Sequence, residues 1–359
     1  MLTYNHLKEA FRFIKNSFKP IKQFNGNAEQ ICEQITKQCW NGTYFQTSLN
    51  NYPGFYCRDF GICCEALIKL GYKDEVLKTL IYALEIFKKN NKITTNITKD
   101  NIPIDCFTHT PESLSFMLNN LVLLNNKSLT KQYQYFLEDQ AQYVYDNDFD
   151  KKLGLLRKDK RFSSMKDNSI RISSCYNNCM LAMLSNNLDK LNLENPFKEY
   201  NIKKAIKKHF WKNGFIDDLS GNKVYSGDAN TFPYWCNIFG EKSIFKQSLK
   251  RIQEQGLDKP FPLKYTKERI KQQEMSPMKY FVPNWEGNTT WCHLGMCFIE
   301  VVNKFNKKLA KQYINQYKKV IEQHKNFLEV FNNNNKPYNN LFYKSDSGML
   351  WSCKYLYLS

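Results

Sequence analysis

The sequence predicts an all-α fold, a closed (α/α)6 toroid in which about twelve helices pair into six hairpins. Three observations carry that expectation. Apolar residues recur at helical spacing along most of the chain. No stretch alternates apolar and polar residues convincingly, as a half-buried strand would. The connections alternate between short polar turns and long segments carrying Gly, Pro, Trp and Asp.

Taken in order, Ala28, Ile31, Ile35 and Cys39 lie on one face of an early helix. Helical periodicity then covers 61–71 and 74–89, with Gly71 standing where a C-cap glycine belongs. The stretch 111–125 opens on Pro111 and Glu112, suited to a first turn, with Thr110 as candidate N-cap. Asn125, Asn126 and Lys127 make a short polar turn into 128–146. Further helical stretches cover 173–186, 198–211, 242–254, 291–305, 308–328 and 347–357. In 203–210 (KKAIKKHF) lysines bracket Ile206, the pattern of a solvated face over a buried stripe. The long connections are 41–60, 90–110, 147–172, 212–234, 255–290 and 329–347, roughly one per helix pair. That rhythm predicts hairpins in a ring with elaborated loops on one face. No Ser/Gly linker breaks the chain, so residues 1–359 read as one domain.

A hydrophobic content of 42% and an aromatic content of 15% suffice for a large core. The formal charge of +18 is spread along helices, as in Lys203, Lys204, Lys207 and Lys208, or Lys307, Lys308 and Lys311. Without a nucleic-acid-binding motif this reads as a diffuse basic surface, and no nucleic-acid partner is expected. The amphipathic N-terminus has no apolar signal region, and no run of 18 apolar residues occurs. A cytoplasmic protein off the membrane, with reduced thiols, is the expectation. Cys63, Cys64, Cys175 and Cys179 sit in apolar helical patterns and read as buried thiols; no metal and no cofactor are expected.

Chemistry is expected on the long loops. The first, YPGFYCRDFG, brings Tyr56, Arg58 and Asp59 to the start of a helix. A carboxylate there either partners the helix terminus or accepts hydrogen bonds from sugar hydroxyls, with Arg58 orienting it. Asp105 lies on the next loop, Asp167 ahead of the 173–186 helix, and Asp228 in the segment GFIDDLSGNKVYSGDANTFPYW. FVPNWEGNTTWCHLG holds Asn284, Trp285, Glu286, Trp291 and His293, and Glu329 follows the 308–328 helix. Trp285 and Trp291 suit either stacking on a sugar face or core packing, and His293 reads as a core or capping histidine. Glycosidic hydrolysis needs two carboxyl groups, one giving a proton to the leaving oxygen and one activating water or attacking the sugar. Asp167 and Glu329 lie far enough apart in sequence to face each other across a ring, although many acidic pairs in the chain do.

These segments resemble, in order, those of the six-hairpin glycoside hydrolase clan, which groups glucoamylases, trehalases, neutral invertases and processing α-glucosidases. RDFGICCEALIKLG is similar to the segment whose aspartate binds the sugar. SSMKDNS resembles the general-acid segment, implying Asp167, with Ser163, Ser164 and Lys166 where a glycine and a tryptophan often stand. PNWEGNTTW is similar to the clan's Asn-Trp-x-Gly-x-x-Trp loop, and FLEVFNNNNKPYNNLFYKSDSGMLW to the stretch that opens on the catalytic base, implying Glu329. The resemblance implies an inverting hydrolase acting on an α-glucoside, a disaccharide or a related oligosaccharide. Asp167 would be the acid and Glu329 the base. Tyr56, Arg58, Asp59, Asp105, Asp228, Asn284, Trp285, Glu286 and Trp291 would bind substrate. The acid must hold its proton, so Lys166 is expected to face away from it. A sugar epimerase or lyase on the same ring, or a non-catalytic carbohydrate-binding toroid, are the alternatives.

Overall fold

The computed structural model describes residues 4–359, with side chains from Lys8 onward; the first three residues of the amphipathic N-terminus lie outside the described residues. Among the described residues the helices in chain order are α1 (Tyr4–Ser17), α2 (Ala28–Cys39), α3 (Cys57–Lys69), α4 (Lys73–Lys89), α5 (Glu112–Leu124), α6 (Lys127–Asn147), α7 (Cys175–Lys190), α8 (Ile202–Phe210), α9 (Phe232–Trp235), α10 (Lys242–Glu254), α11 (Met278–Phe281), α12 (Cys292–Phe305), α13 (Lys307–His324) and α14 (Ser352–Leu358).

Two concentric rings result. Helix α3 packs on α5, α5 on α7, α7 on α9, α9 on α12, α12 on α14, and α14 closes on α3. The outer helices α2, α4, α6, α8 and α13 lie against that ring, and α10 joins it through Phe245, whose ring meets Tyr234 of α9 at 5.2 Å. Composition follows position. Inner helices such as α5 (ESLSFMLNNLVLL) and α12 (CHLGMCFIEVVNKF) are buried on nearly every side, because a helix between two shells has no face to give to water. Outer helices bury only a stripe: Ile202, Ile206 and Phe210 in α8, with its lysines outside. The shells approach closely. A Cβ on Gly295 of α12 would stand 2.0 Å from the Tyr317 hydroxyl of α13 and 2.4 Å from the Pro262 carbonyl, so only glycine fits.

Every long connection runs from an outer helix to the next inner one, and every short one runs back out. The inner helices therefore all start at the same face, where the long loops gather. Gly71 follows α3 with φ +96°, and Asn125 ends α5 in the left-handed region while Asn126 caps α6. Thr110 does not cap α5: Pro111 holds the cap position, and the Thr110 hydroxyl contacts Thr95 at 2.8 Å. Helices α9 and α11 fall inside segments read as loops, since four residues are too few to show a period.

The loop face also holds two-residue strands, too short to register as alternation: β1 (Phe55–Tyr56), β2 (Asn96–Ile97), β3 (Pro103–Ile104), β4 (Phe149–Asp150), β5 (Leu155–Leu156), β6 (Thr290–Trp291) and β7 (Val330–Phe331). All pair antiparallel. The β6–β7 pair sets Trp291 opposite Val330 and brings Cys292 N–H to the Glu329 carbonyl at 3.0 Å. Eleven of the twelve cysteines, all but Cys106, are buried free thiols. No described helix is long and apolar enough to cross a membrane, and among the described residues no group of three or more metal-ligating side chains comes together.

Candidate active site

A cavity of about 440 Å³ opens at the loop face, at the N-terminal ends of the inner helices, within the size range of ligand sites. Arg58, Asp59, Asp167, Glu286 and Glu329 all line it, with Tyr56, Trp285 and Trp291. Asp167 lies in the segment ahead of α7 and Glu329 in the segment ahead of α14, helices three places apart in either direction around the inner ring.

Arg58, in the first turn of α3, organises one side. Its Nε donates to Glu112 at 2.6 Å, and its Nη1 and Nη2 reach both oxygens of Asp167 at 3.0 and 3.2 Å. It also donates to the Ser164 carbonyl. Glu112 is buried, and burial raises its pKa against the pull of Arg58. The Asp167 side chain keeps 18% exposure, so it remains open to the cavity despite this bidentate grip. Lys166 turns away from it, as the sequence reading expects: its ammonium is buried on Asp217 at 3.1 Å. Arg171 bridges Asp217 and Asp228 at 2.9 and 2.6 Å, and this buried cluster fixes the chain leading into α7.

Glu286 stands beside Asp167. Its oxygens accept from Asn168 N–H at 2.9 and 3.0 Å and from Ser169 Oγ at 2.8 Å. Burial and the charge of Asp167 nevertheless push its pKa up to about 7. Asp59 accepts from Trp351 Nε1 at 2.9 Å, and burial raises it to about 6. It stands in the first turn of α3 and lines the cavity.

In the same cavity, Glu329 Oε2 accepts from the Tyr343 hydroxyl at 2.7 Å and from Asp346 N–H at 3.0 Å. Among the described residues Oε1 has no hydrogen-bond partner. Burial first, and the neighbouring Asp346 second, raise the Glu329 pKa to about 8. Asp346 itself accepts from the Asn51 and Ser347 amides. His293, at the start of α12, is buried between Trp291 and Trp351, contacts the Tyr265 hydroxyl at 3.1 Å and is held neutral by burial.

Three candidates are not cavity residues. Asp228 is fully buried on Arg171, because its loop folds beneath the site. Asp105 pairs with Lys92 and Thr95 at the edge of the β1–β3 sheet. Asn284 adopts φ +60° and holds a turn through Asn288 at 2.5 Å. Trp285 and Trp291 are both core and lining: they meet edge-on at 4.8 Å, and the Trp291 Nε1 donates to the Trp285 carbonyl at 2.8 Å. Sequence reasoning missed Trp351 and Tyr343, which line the cavity, and Asp346 and Glu112, which hold Glu329 and Arg58 beside it. The first three lie in the quoted SDSGMLW region or just before it, but nothing in their spacing marks a carboxylate to hold.

No protein-family model and no curated protein matches the sequence. Solved structures do match the fold. A rhamnosidase from Klebsiella oxytoca with rhamnose bound is 10% identical, with TM-score 0.66, over 95% of this chain. The match spans 65% of the rhamnosidase's own length. A GH63 mannosylglycerate hydrolase from Thermus thermophilus, in complex with Tris and D-glycerate, is 9% identical with TM-score 0.62, over 92% of this chain and 99% of that one. A glycosidase variant in complex with glucose is 9% identical with TM-score 0.62, over 100% of this chain and 98% of that one. The chain has the six-hairpin (α/α)6 fold of these glycosidases.

Proposed function

We propose that this protein is a glycoside hydrolase acting with inversion on an α-glucoside or related glycoside. One observation carries the reading: Asp167, in the segment ahead of α7, and Glu329, in the segment ahead of α14, line one cavity. Asp167 gives its proton to the leaving oxygen. Glu329, with Oε1 unengaged, takes a proton from the water that attacks the anomeric carbon from the other side once pH approaches its raised value of about 8 and the carboxyl ionises. Asp59, held by Trp351, accepts from sugar hydroxyls, and Trp285 and Trp291 supply a face for the ring. Asn168, whose buried Oδ1 lacks a partner among the described residues, adds an acceptor.

The grip of Arg58 on both Asp167 oxygens favours a second assignment of the acid. Glu286 lines the same cavity, and burial beside Asp167 raises its pKa to about 7. In that assignment Asp167 and Arg58 position it. Kinetics of Asp167→Asn, Glu286→Gln and Glu329→Gln with alkyl and dinitrophenyl glucosides separate the two. Each of Asp167→Asn and Glu329→Gln should lower alkyl glucoside hydrolysis at least about 100-fold. The variant lacking the acid regains turnover on the dinitrophenyl glucoside, whose leaving group needs no proton; the variant lacking the base does not. Full activity in Glu329→Gln would end the proposal.

A further inference from the structure

The carboxylates form the floor of the cavity, and its outer wall is of different chemistry. Phe13 and Ile14 come from α1, Ile104 and Phe107 from β3 and the segment after it, Phe281 from α11 and Phe342 from the loop ahead of α14. None of the six is fully buried, and Phe281 is 42% exposed. They are packed against one another and against the floor: Phe281 meets Phe342 edge-on at 5.0 Å, and Phe13 meets the ring of Tyr343, the Glu329 partner, at 5.6 Å. Helix α1 is fixed in place by Arg12, whose Nε donates to the Asn51 carbonyl at 2.9 Å, and by Asn16 on the Asn51 side chain at 3.0 Å.

Polar groups in the same wall are already engaged. Glu9 is paired with Arg12, the Thr95 hydroxyl with Thr110 at 2.8 Å, and the Asn96 amide with Cys106. A second sugar placed here would give up hydrogen bonds to water and meet aromatic and aliphatic carbon. An alkyl chain or an aromatic ring would instead cover the apolar surface that the fold leaves open inside the cavity.

We propose that this wall is the leaving-group subsite, and that the aglycone it accepts is an apolar alcohol, alkyl or aryl, in place of another sugar. The inference rests on reading the floor as a glycosidase site. In the reaction the bond between the anomeric carbon and the glycosidic oxygen breaks. The water oxygen joins that carbon and loses one proton to the base, and the alcohol departs with the proton of the acid.

The test is kcat/KM for the intact protein on methyl through hexyl glucosides of both anomers, beside maltose and isomaltose, with calorimetric binding of the matching non-hydrolysable alkyl thioglucosides. Each added methylene should raise kcat/KM, and tighten thioglucoside binding, about 4-fold until the wall is covered. Phe281→Asn and Phe107→Asn should flatten both series. Hydrolysis that ignores chain length, or that favours the disaccharides, would overturn the apolar subsite and leave the hydrolase reading standing. Chain-length-dependent binding with no hydrolysis of any glycoside would keep the subsite and remove the hydrolase reading. Binding that is flat across the thioglucosides would remove the subsite by itself.

Discussion

Arg58 is the residue whose removal tests the architecture of the site most directly. It answers two carboxylates, Glu112 at 2.6 Å and Asp167 at 3.0 Å, with side-chain exposures of 1% and 18%. Replacing it with methionine keeps the aliphatic stem and deletes the charge. Glu112 is then a buried carboxylate with no cation, a situation that costs about 3–5 kcal/mol when a buried pair is broken. Unfolding entropy at about 2.1 cal/mol/K per residue converts that, for a chain of this length, into a melting point lower by about 4–7 °C. The loss should depend on pH. Burial already raises Glu112, and without Arg58 it rises further, so its contribution to stability is present at acid pH and is lost as pH rises through the folded-state value. Arg58→Met should therefore be nearly as stable as the wild type near pH 4.5 and fall behind it toward pH 8. The double variant Arg58→Met/Glu112→Gln should recover most of the loss. Thermal and urea unfolding of the wild type, the two single variants Arg58→Met and Glu112→Gln, and the double variant across that range measure the coupling. A deficit that does not change with pH, or a double variant no better than the single one, would refute the assignment of the cost to an abandoned Glu112 charge.

Glu286 gives a second linkage. With a folded value near 7 against an ordinary 4.5, its contribution to stability is complete below about 4.5 and lost as pH rises through about 7. Relative to Glu286→Gln, the wild type should lose roughly 3 kcal/mol across that window in urea unfolding; an invariant difference would contradict the burial. Asp346→Asn removes the charge that, after burial, most raises Glu329, so the acidic limb of kcat/KM should move down by roughly one pH unit; an unmoved limb would separate Asp346 from the base. Gly295→Ala should cost about 1–3 kcal/mol by chemical denaturation, because the Pro262 carbonyl cannot retreat from the added methyl as a side chain could; a neutral effect would mean that the shells have slack.

The ring was legible because periodicity and loop rhythm are properties of the sequence itself. Lysines around Ile206 in α8 mark a solvated face over a buried stripe in the sequence itself, whereas the place of the broadly apolar α12 in the inner ring is shown only by the closed structure. The one-turn α9 was not legible, although it completes the inner ring, because it is held by its neighbours and not by a period of its own. Within the site, Asp59, Arg58 and Glu286 were found from loop position. The identical criterion also produced Asp228, since loop sequence does not tell a carboxylate facing a cavity from one facing Arg171 beneath it. The partners Glu112 and Trp351 depend on contacts of 54 and 292 residues in sequence separation, which only the closed ring supplies.

That closure has a consequence in time. The hydrogen bond from Trp351 to Asp59 and the packing of α14 on α2 and α3 join the last helix to the early ones. During synthesis five inner helices can emerge and associate in order, each on its predecessor, while the cavity still lacks a wall and Asp59 lacks its donor. The ring locks only when α14 leaves the ribosome and pays the entropy of closing nearly the whole chain into a loop. Such a topology predicts late, all-at-once acquisition of the sugar cavity and slow refolding from denaturant. Nascent chains arrested before residue 351 would hold most of the helices and none of the completed site.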